Sequence, residues 1–240
     1  MNNSFGNAGR LIIAGLRALL VLTVVTGVIY PLAVTGVAQA LFNDKANGSE
    51  IKSNGKVVGS ELIGQTYNLP KKDPNDAEEA AVADLKFFQP RPSNGLGSNS
   101  VNTQYSLILS GATNRSGDNG AVDGECPTDP KKMVDPSLCK WVVDAKDAVV
   151  KDNSVDGYKV KPSDVPADAI TSSASGLDPD ISPEYADIQV HRVAKLNGLD
   201  VKQVQKLVDE NTDGRILGFM GEPTVNVLKL NIALRELTQR

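Results

Sequence analysis

The richest cluster of polar residues that could bind a ligand lies at residues 171–179, where the sequence reads TSSASGLDP. The candidate anion-binding residues in this cluster are Ser175, Gly176, Leu177 and Asp178. A run of Ser and Gly just before a helix start can present backbone N–H groups to an anion such as phosphate. An ordinary loop with a helix cap uses the same residue types, so the spacing leaves both interpretations open.

A hydrolytic triad of Ser175, His191 and Asp178 is the other chemistry that these residues suggest. His191 falls in the middle of a predicted helix, and its neighbours provide no orienting carboxylate at triad spacing. The sequence contains neither a GxSxG nucleophile elbow nor a Walker lysine loop. We therefore expect this chain to contain no catalytic residues of its own.

Metal binding is also poorly supported by the composition. One His and two Cys cannot supply the four ligands of a usual zinc site, and Cys126 and Cys139 are too far apart for a CxxC knuckle. Carboxylates at Asp178, Asp180 and Glu184 lack the spacing and central glycine of an EF-hand loop, and acids at a helix start explain them equally well. We predict no metal site.

The segment Pro90-Arg91-Pro92-Ser93 presents one arginine from a stiff backbone. Two prolines favour an extended chain and stop a helix, so the guanidinium of Arg91 is held in a limited range of positions. Such a group can clamp a carboxylate or a phosphate, or it can bind backbone carbonyls as a structural residue.

These candidates must be positioned by a domain that follows a long apolar segment. Residues 18–41 contain no charged side chain, and as a helix they would extend about 36 Å, which is enough to cross a bilayer. A secretory signal peptide is the alternative, because Ala38-Gln39-Ala40 resembles a cleavage site. The apolar region of a signal peptide is usually about 7 to 15 residues long, so we predict an uncleaved membrane helix region at residues 11–42.

The charges that flank this span predict its orientation. Arg10 and Arg17 precede the apolar residues and no acidic residue does, and positive charge near a membrane favours the cytoplasmic side. We expect residues 1–10 to be a cytoplasmic N-terminus and residues 43–240 to form an extracytoplasmic domain.

The span also contains features of a helix that packs against another helix. Pro31 removes one backbone donor and predicts a kink. Two pairs of small residues, each four positions apart, would allow a close approach of a second helix. These residues are Thr23, Gly27, Gly36 and Ala40.

Charge and cysteine content limit the possible partners and compartment of the domain. Residues 43–240 hold 23 basic and 29 acidic residues, and this balance does not suggest binding to nucleic acid or to anionic lipid. Outside the cytoplasm, Cys126 and Cys139 would meet an oxidising environment, so we predict a disulfide between them. Two free thiols in a mobile loop are the alternative.

Local patterns predict an α+β domain with short strands and a helical C-terminal third, behind one transmembrane helix. Asn54-Gly55 predicts a two-residue hairpin turn. Ser182 before Pro183 predicts a helix start, and Gly198 predicts the end of that helix. Residues 117–160 show few apolar anchors, and we predict a loop-rich insertion there.

Several motifs in this chain resemble the KdpC family, a subunit of bacterial potassium-transporting Kdp ATPases. In chain order they are YPLAVTGVAQALF at 30–42, ANGS at 46–49, GS at 59–60, LIGQ at 62–65, RPS at 91–93, SGLDP at 175–179, ISP at 181–183, Gln189, RVA at 192–194, GEP at 221–223 and VNVL at 225–228. The segment SGATN at residues 110–114 is a looser version of the family pattern, and residues 117–160 look longer than the usual connector.

The resemblance implies an accessory subunit of a high-affinity ATP-driven potassium uptake pump. Its partners would be a channel-like potassium subunit and a P-type ATPase subunit, because this chain has neither a DKTGT phosphorylation loop nor a TVGYG-like filter. The subunit would assemble and stabilise the complex and support potassium-dependent ATP hydrolysis. Family-motif residues with a structural or interface role would be Arg91, Pro92, Ser93, Gln189, Arg192 and Asn226.

The resemblance also implies an alternative, a catalytic chaperone that itself binds ATP and raises the nucleotide affinity of the ATPase subunit. Ser175, Gly176, Leu177 and Asp178 would then contact ATP. ATP is cytoplasmic, whereas the flanking charges predict a domain outside the cytoplasm. We therefore expect no cofactor of the chain's own, and ATP only through the complex.

Overall fold

The computed structural model describes residues 3–73, 76, 79–93, 98–99, 120–121, 126–127, 129, 132–135 and 137–239. The chain divides into two compact units, which are residues 1–49 and residues 50–240. The SGATN segment at residues 110–114 lies outside the described residues.

The first unit consists of helices. Its elements are α1 (Asn3–Val24), a wide π turn (Val25–Ile29), α2 (Tyr30–Leu41) and the short α3 (Asn43–Ala46). The helical residues Gly6–Leu41 are long and apolar enough to cross a membrane, and none of the most apolar window is buried.

The second unit is an α+β domain, as the sequence predicts. Its strands are β1 (Glu50–Ser53), β2 (Lys56–Ser60), β3 (Thr66–Tyr67), β4 (Ser98–Asn99), β5 (Asp180–Ile181), β6 (Thr212–Asp213) and β7 (Thr224–Asn226). Its helices are α4 (Leu138–Asn153), α5 (Pro183–Asn197), α6 (Val201–Glu210) and α7 (Val227–Thr238). Short 3₁₀ turns at Pro162–Asp164 and Ala167–Ala169 connect α4 to β5.

The strands form three small sheets. β1 and β2 make an antiparallel hairpin in which Ser53 pairs with Lys56. Asn54 and Gly55 between them have φ values of 50° and 77°, which is the left-handed backbone that the predicted turn requires. β3 pairs in parallel with β4, and β7 lies between β5 and β6 in an antiparallel three-stranded sheet.

Helix α5 begins and ends where the sequence predicts. The hydroxyl of Ser182 accepts the N–H of Tyr185 at 3.1 Å, and Gly198 ends α5 in a left-handed conformation. Asp200 and Gln203 form a capping box at the start of α6. The apolar faces of these helices bury Val193, Val204 and Leu230, which lie in the main core with Phe88 from the middle of the chain.

Helix α4 corrects the prediction that residues 117–160 are rich in loops. Leu138–Asn153 is a helix of 16 residues, capped by Ser137, whose hydroxyl accepts the N–H of Lys140 at 3.1 Å. Its buried positions Cys139, Val149 and Asn153 are spaced at helical intervals, but only Val149 is a large aliphatic residue. The apolar signal is therefore weak, and tertiary contacts stabilise the helix.

Candidate functional site

Arg91 joins two of the motif segments on the domain. Its Nη1 donates to Oδ2 of Asp178 at 2.9 Å, and its Nη2 lies 3.3 Å from both the carbonyl oxygen and the hydroxyl of Thr171. The guanidinium thus binds a carboxylate and a backbone carbonyl, the two partners expected from its rigid setting.

The residues that flank Arg91 are fixed to the same loop. The backbone N–H of Ser173 donates to the carbonyl of Pro92 at 2.9 Å, and the hydroxyl of Ser93 donates to the carbonyl of Arg91 at 3.2 Å. Proline at position 92 offers a carbonyl but no N–H, so its one backbone hydrogen-bonding group is satisfied here. The structure therefore joins the RPS motif to the serine-rich segment.

The serine-rich segment folds into a tight turn whose polar groups bond to one another. The hydroxyl of Ser175 accepts the N–H of Leu177 and lies 3.1 Å from the hydroxyl of Ser173. Gly176 adopts a φ of 71°, and Asp178 Oδ1 accepts the N–H of Asp180 at 3.1 Å. The four candidate anion-binding residues thus lie together in one loop, with several of their polar groups in internal hydrogen bonds.

A cleft of about 410 Å³ adjoins this loop. The pairing of Arg91 with Asp178 lies at its wall, and further carboxylates line it. These acidic lining residues are Asp168, Asp178, Asp180, Glu184 and Glu222. Burial raises the pKa of Asp180, and the nearby Asp178 and Asp213 act in the same direction. The cleft is therefore an acidic surface, which disfavours an anion.

Asn226 connects the end of β7 to three other parts of the domain. Its side-chain oxygen accepts the N–H of Lys229 and caps α7, while its Nδ2 donates to the Glu61 carbonyl at 2.9 Å and to Asp180 Oδ1 at 3.0 Å. Lys229 Nζ also lies 2.5 Å from the Glu61 carboxylate. Asn226 is buried, so each of its polar atoms needs such a partner.

Gln189 and Arg192 on α5 form a buried polar network. Arg192 is 1% exposed and donates from Nε to Asn153 Oδ1, from Nη1 to the Leu85 carbonyl and from Nη2 to Gln189 Oε1, at 2.6 to 2.9 Å. Gln189 also exchanges two hydrogen bonds with the backbone of Gln89. Burial lowers the pKa of Arg192 to about 10, so the side chain stays charged at neutral pH.

The small residue in the GS motif is required by packing. A Cβ at Gly59 would lie 2.6 Å from Cδ2 of Leu228 and would overlap the side chain of Gln65. Gln65 in turn donates to the carbonyl of Val58 at 2.9 Å. The motif therefore marks a close approach between β2 and its neighbours.

The remaining chemistry-bearing residues lie in other surroundings. The ring of His191 stacks on Tyr158, with centroids 3.8 Å apart and planes at 7°. Cys126 and Cys139 form a disulfide with a Cα–Cα distance of 5.3 Å at the first turn of α4. No group of three or more His, Cys, Asp or Glu suited to a metal occurs among the described residues.

The helical unit shows how its proline is accommodated. The π turn ends two residues before Pro31, and the N–H of Tyr30 donates to the carbonyl of Val25 across it. Such a wide turn is one of the recognised causes of a bend in a helix. Thr23, Gly27 and Ala40 are exposed, and nothing within the described part of the chain lies within 4 Å of a Cβ built at Gly27 or Gly36.

Sequence reasoning missed two residues that organise the domain. Asn231 exchanges hydrogen bonds of 2.9 Å with both the N–H and the carbonyl of Phe88. Asp168 accepts from both the N–H and the hydroxyl of Ser182. Asn231 could have been found from the sequence, because it is a polar residue within the apolar face of α7. No sequence signal pointed to Asp168.

The structure thus defines a class of protein, an α+β domain that follows one helix long enough to cross a membrane. The profile of the family described as "K+-transporting ATPase, c chain", KdpC, matches residues 12–236. Relatives called "Potassium-transporting ATPase KdpC subunit" are 70% identical in Streptomyces avermitilis and 65% identical in Streptomyces coelicolor, over 99% of this chain and 98% and 97% of theirs. A relative of the same name from Caldanaerobacter subterraneus is 42% identical over 90% of both chains.

The chain therefore belongs to the KdpC family. This finding confirms the resemblance that the motifs indicated. The residues that carry the resemblance in the domain are largely those that bond to one another in the structure, Arg91 to Asp178 and Gln189 to Arg192 among them.

Proposed function

We propose that this chain is the accessory subunit of a high-affinity, ATP-driven potassium uptake pump. It would assemble and stabilise the complex with a channel-like potassium subunit and a P-type ATPase subunit, and support ATP hydrolysis by the latter. The observation that carries the proposal is the family match over residues 12–236, together with relatives named as subunits of a potassium-transporting ATPase. Catalysis and ion selection would belong to the partners.

The proposed topology is a single pass through the bacterial cell membrane. Residues 11–42 would span it, residues 1–10 would lie in the cytoplasm and residues 43–240 outside. One helix of sufficient length and apolarity supports the span, and the position of Arg10 and Arg17 before the uncharged residues 18–41 supports the orientation. The disulfide between Cys126 and Cys139 agrees with an oxidising compartment.

The helical unit would bind the partners through its small residues. Thr23 lies in the last turn of α1 and Gly27 in the π turn, and Gly36 and Ala40 lie in α2. In lipid, small side chains permit the close backbone contact on which helix association depends. A partner donor could also satisfy the backbone carbonyl that Pro31 leaves without an N–H partner.

The domain would act as a rigid docking body. Buried polar networks at Arg192, Asn226 and Asn231 tie segments that are far apart in the sequence. Such networks favour one well-defined arrangement when all their groups are satisfied. A pre-organised surface loses less entropy when it binds a partner than a flexible one does.

Direct ATP binding at Ser175, Gly176, Leu177 and Asp178 is the alternative function, and the site geometry argues against it. The cleft beside this loop is lined by carboxylates, which would repel nucleotide phosphates. Asp178 already binds Arg91, the cation that could otherwise meet a phosphate there. An ATP-binding chaperone would also need this loop in the cytoplasm.

Two measurements test the proposal. An affinity tag on the chain, expressed with the other subunits and extracted in mild detergent, should retain the channel-like and ATPase subunits at a constant ratio. Protease added outside spheroplasts should digest the domain, and disruption of the membrane should not be required. A chain that purifies alone would contradict the assembly role, and a protected domain would contradict the topology and favour the ATP-binding alternative.

A further inference from the structure

An apolar turn extends from the hairpin between β6 and β7. We use this name for residues 215–222, with the sequence RILGFMGE. Four large side chains in it are exposed to solvent: Ile216 by 66%, Leu217 by 81%, Phe219 by 70% and Met220 by 48%. Single exposed apolar residues are common on proteins, but a contiguous group of this kind marks an interaction site.

Backbone hydrogen bonds hold the apolar turn in one shape. The N–H of Ile216 donates to the carbonyl of Met220 at 2.8 Å, and the N–H of Met220 donates to the carbonyl of Ile216 at 3.0 Å. Leu217 has a φ of 55°, a left-handed conformation that a branched side chain keeps only when its surroundings fix it. An ion pair of 2.6 Å between Arg215 and Glu222 closes the base. The apolar side chains are therefore pre-organised for a shaped partner.

The charges around the apolar turn indicate the kind of partner. Residues 206–224 contain two basic residues and four acidic ones, and ion pairs join Lys206 to Glu210 and Arg215 to Glu222. The acidic residues are Asp209, Glu210, Asp213 and Glu222. A loop that enters the headgroup region of an anionic membrane is usually flanked by Lys and Arg, so this setting disfavours lipid. It favours a protein groove with an apolar floor and basic residues at its edge.

We propose that the apolar turn docks into an apolar, basic-edged groove on another subunit of the potassium-transporting ATPase complex. This inference rests on the proposed function, which provides the partner subunits. Leu217 and Phe219 are the most exposed members of the turn and act as its anchors. The Arg215–Glu222 pair leaves no net charge to bury beside them.

Photo-crosslinking in the membrane identifies directly the molecule that the apolar turn contacts. The full chain carries p-benzoylphenylalanine at position 219, is expressed with the other subunits and is illuminated before extraction. A matched chain carries the same probe at Leu62, which is 62% exposed on the turn after β2. We expect an adduct between position 219 and another subunit, in clear excess over position 62. Adducts with lipid only, with a second copy of the chain, or no more abundant than at position 62 would overturn the proposal.

A pair of substitutions measures the contribution of the anchors. Leu217→Ser with Phe219→Ser should weaken binding of the chain to the remaining subunits at least tenfold in a detergent titration. Leu62→Ser with Val82→Ser removes two similarly exposed apolar side chains and should leave the affinity unchanged. Thermal unfolding confirms that both variants fold.

The outcomes separate this inference from the function on which it rests. If the wild-type chain does not bind the other subunits at all, the proposed function fails. If the wild-type chain and the Leu62/Val82 variant bind, and the Leu217/Phe219 variant binds with the same affinity, only the docking of the apolar turn is overturned.

Discussion

The guanidinium of Arg91 lies 2.9 Å from the carboxylate of Asp178, a residue 87 positions later in the chain. Their side chains are 22% and 30% exposed, so the pair is largely shielded from water. The contact closes the serine-rich loop onto the extended RPS motif. It engages the one arginine of these motifs, which is the cation that a nucleotide phosphate would need.

A double-mutant cycle on Arg91→Ala and Asp178→Ala should give a coupling free energy of about 1 to 2 kcal/mol, because the hydrogen bond is charge-assisted and partly buried. Urea unfolding of the full chain in detergent, followed by the fluorescence of the single tryptophan, Trp141, measures it. The exposed pair Lys195–Asp156 provides the control and should show no measurable coupling. Equal coupling in the two pairs would contradict the structural role of Arg91.

Arg192→Ala should destabilise the domain by about 3 kcal/mol, because it removes the donor to Asn153 Oδ1, to the Leu85 carbonyl and to Gln189 Oε1 and creates a cavity. Arg192→Lys should also destabilise, since an ammonium cannot reproduce the planar fork that reaches Asn153, Leu85 and Gln189. Urea unfolding gives both values, with the exposed Lys202→Ala as control. A lysine variant as stable as the wild type would show that the fork geometry is unimportant.

Replacing Cys126 and Cys139 together by Ser should lower the free energy of unfolding by about 3 kcal/mol, since the disulfide restricts the unfolded chain across a loop of 13 residues. Reductant should destabilise the wild type to a similar extent and leave the variant unaffected. Alkylation of the chain from the membrane without reductant should add no mass, and labelling of both thiols would rule out the disulfide in cells.

Asp180→Asn should raise the thermal midpoint at neutral pH. Burial raises the pKa of Asp180 in the folded state, so the charged form costs stability there. The contribution of Asp180 to the free energy of unfolding is fully present below the usual Asp pKa. It is lost as the pH rises through the raised pKa of the folded state. The gain should therefore vanish in acid. A gain of equal size at both pH values would mean that the charge of Asp180 is not its cause.

Replacing Thr23 and Gly27 by Leu should release the chain from its partners, since bulkier side chains prevent the close approach of a second helix. Ala14→Leu with Ala18→Leu is the matched control, because each lies nine residues earlier and so faces the opposite side of the helix. Affinity purification from mild detergent compares the two. Unchanged co-purification of the Thr23/Gly27 variant would count against assembly through this face.

Local signals predicted the elements whose structure depends on nearby residues. Asn54-Gly55 predicts the turn because few other pairs adopt two consecutive left-handed conformations, and the structure has both. Ser182 and Gly198 delimit α5 for similarly local reasons.

Long-range contacts account for what the sequence did not reveal. Helix α4 has one large buried aliphatic residue, Val149, and contributes Asn153 to the network of Arg192. Arg91 suggested a clamp, but its partner Asp178 could have been any acidic residue of the domain. The reciprocal bonds between Asn231 and Phe88 join positions 143 apart, and no local pattern predicts such a pairing.

The most direct test of the account is potassium-stimulated ATP hydrolysis by the purified pump with and without this chain. We expect the complex that lacks the chain to lose potassium stimulation, and the wild-type chain added back to restore it. Potassium-stimulated hydrolysis that is the same in the presence and absence of the chain would contradict its role as an accessory subunit of the pump.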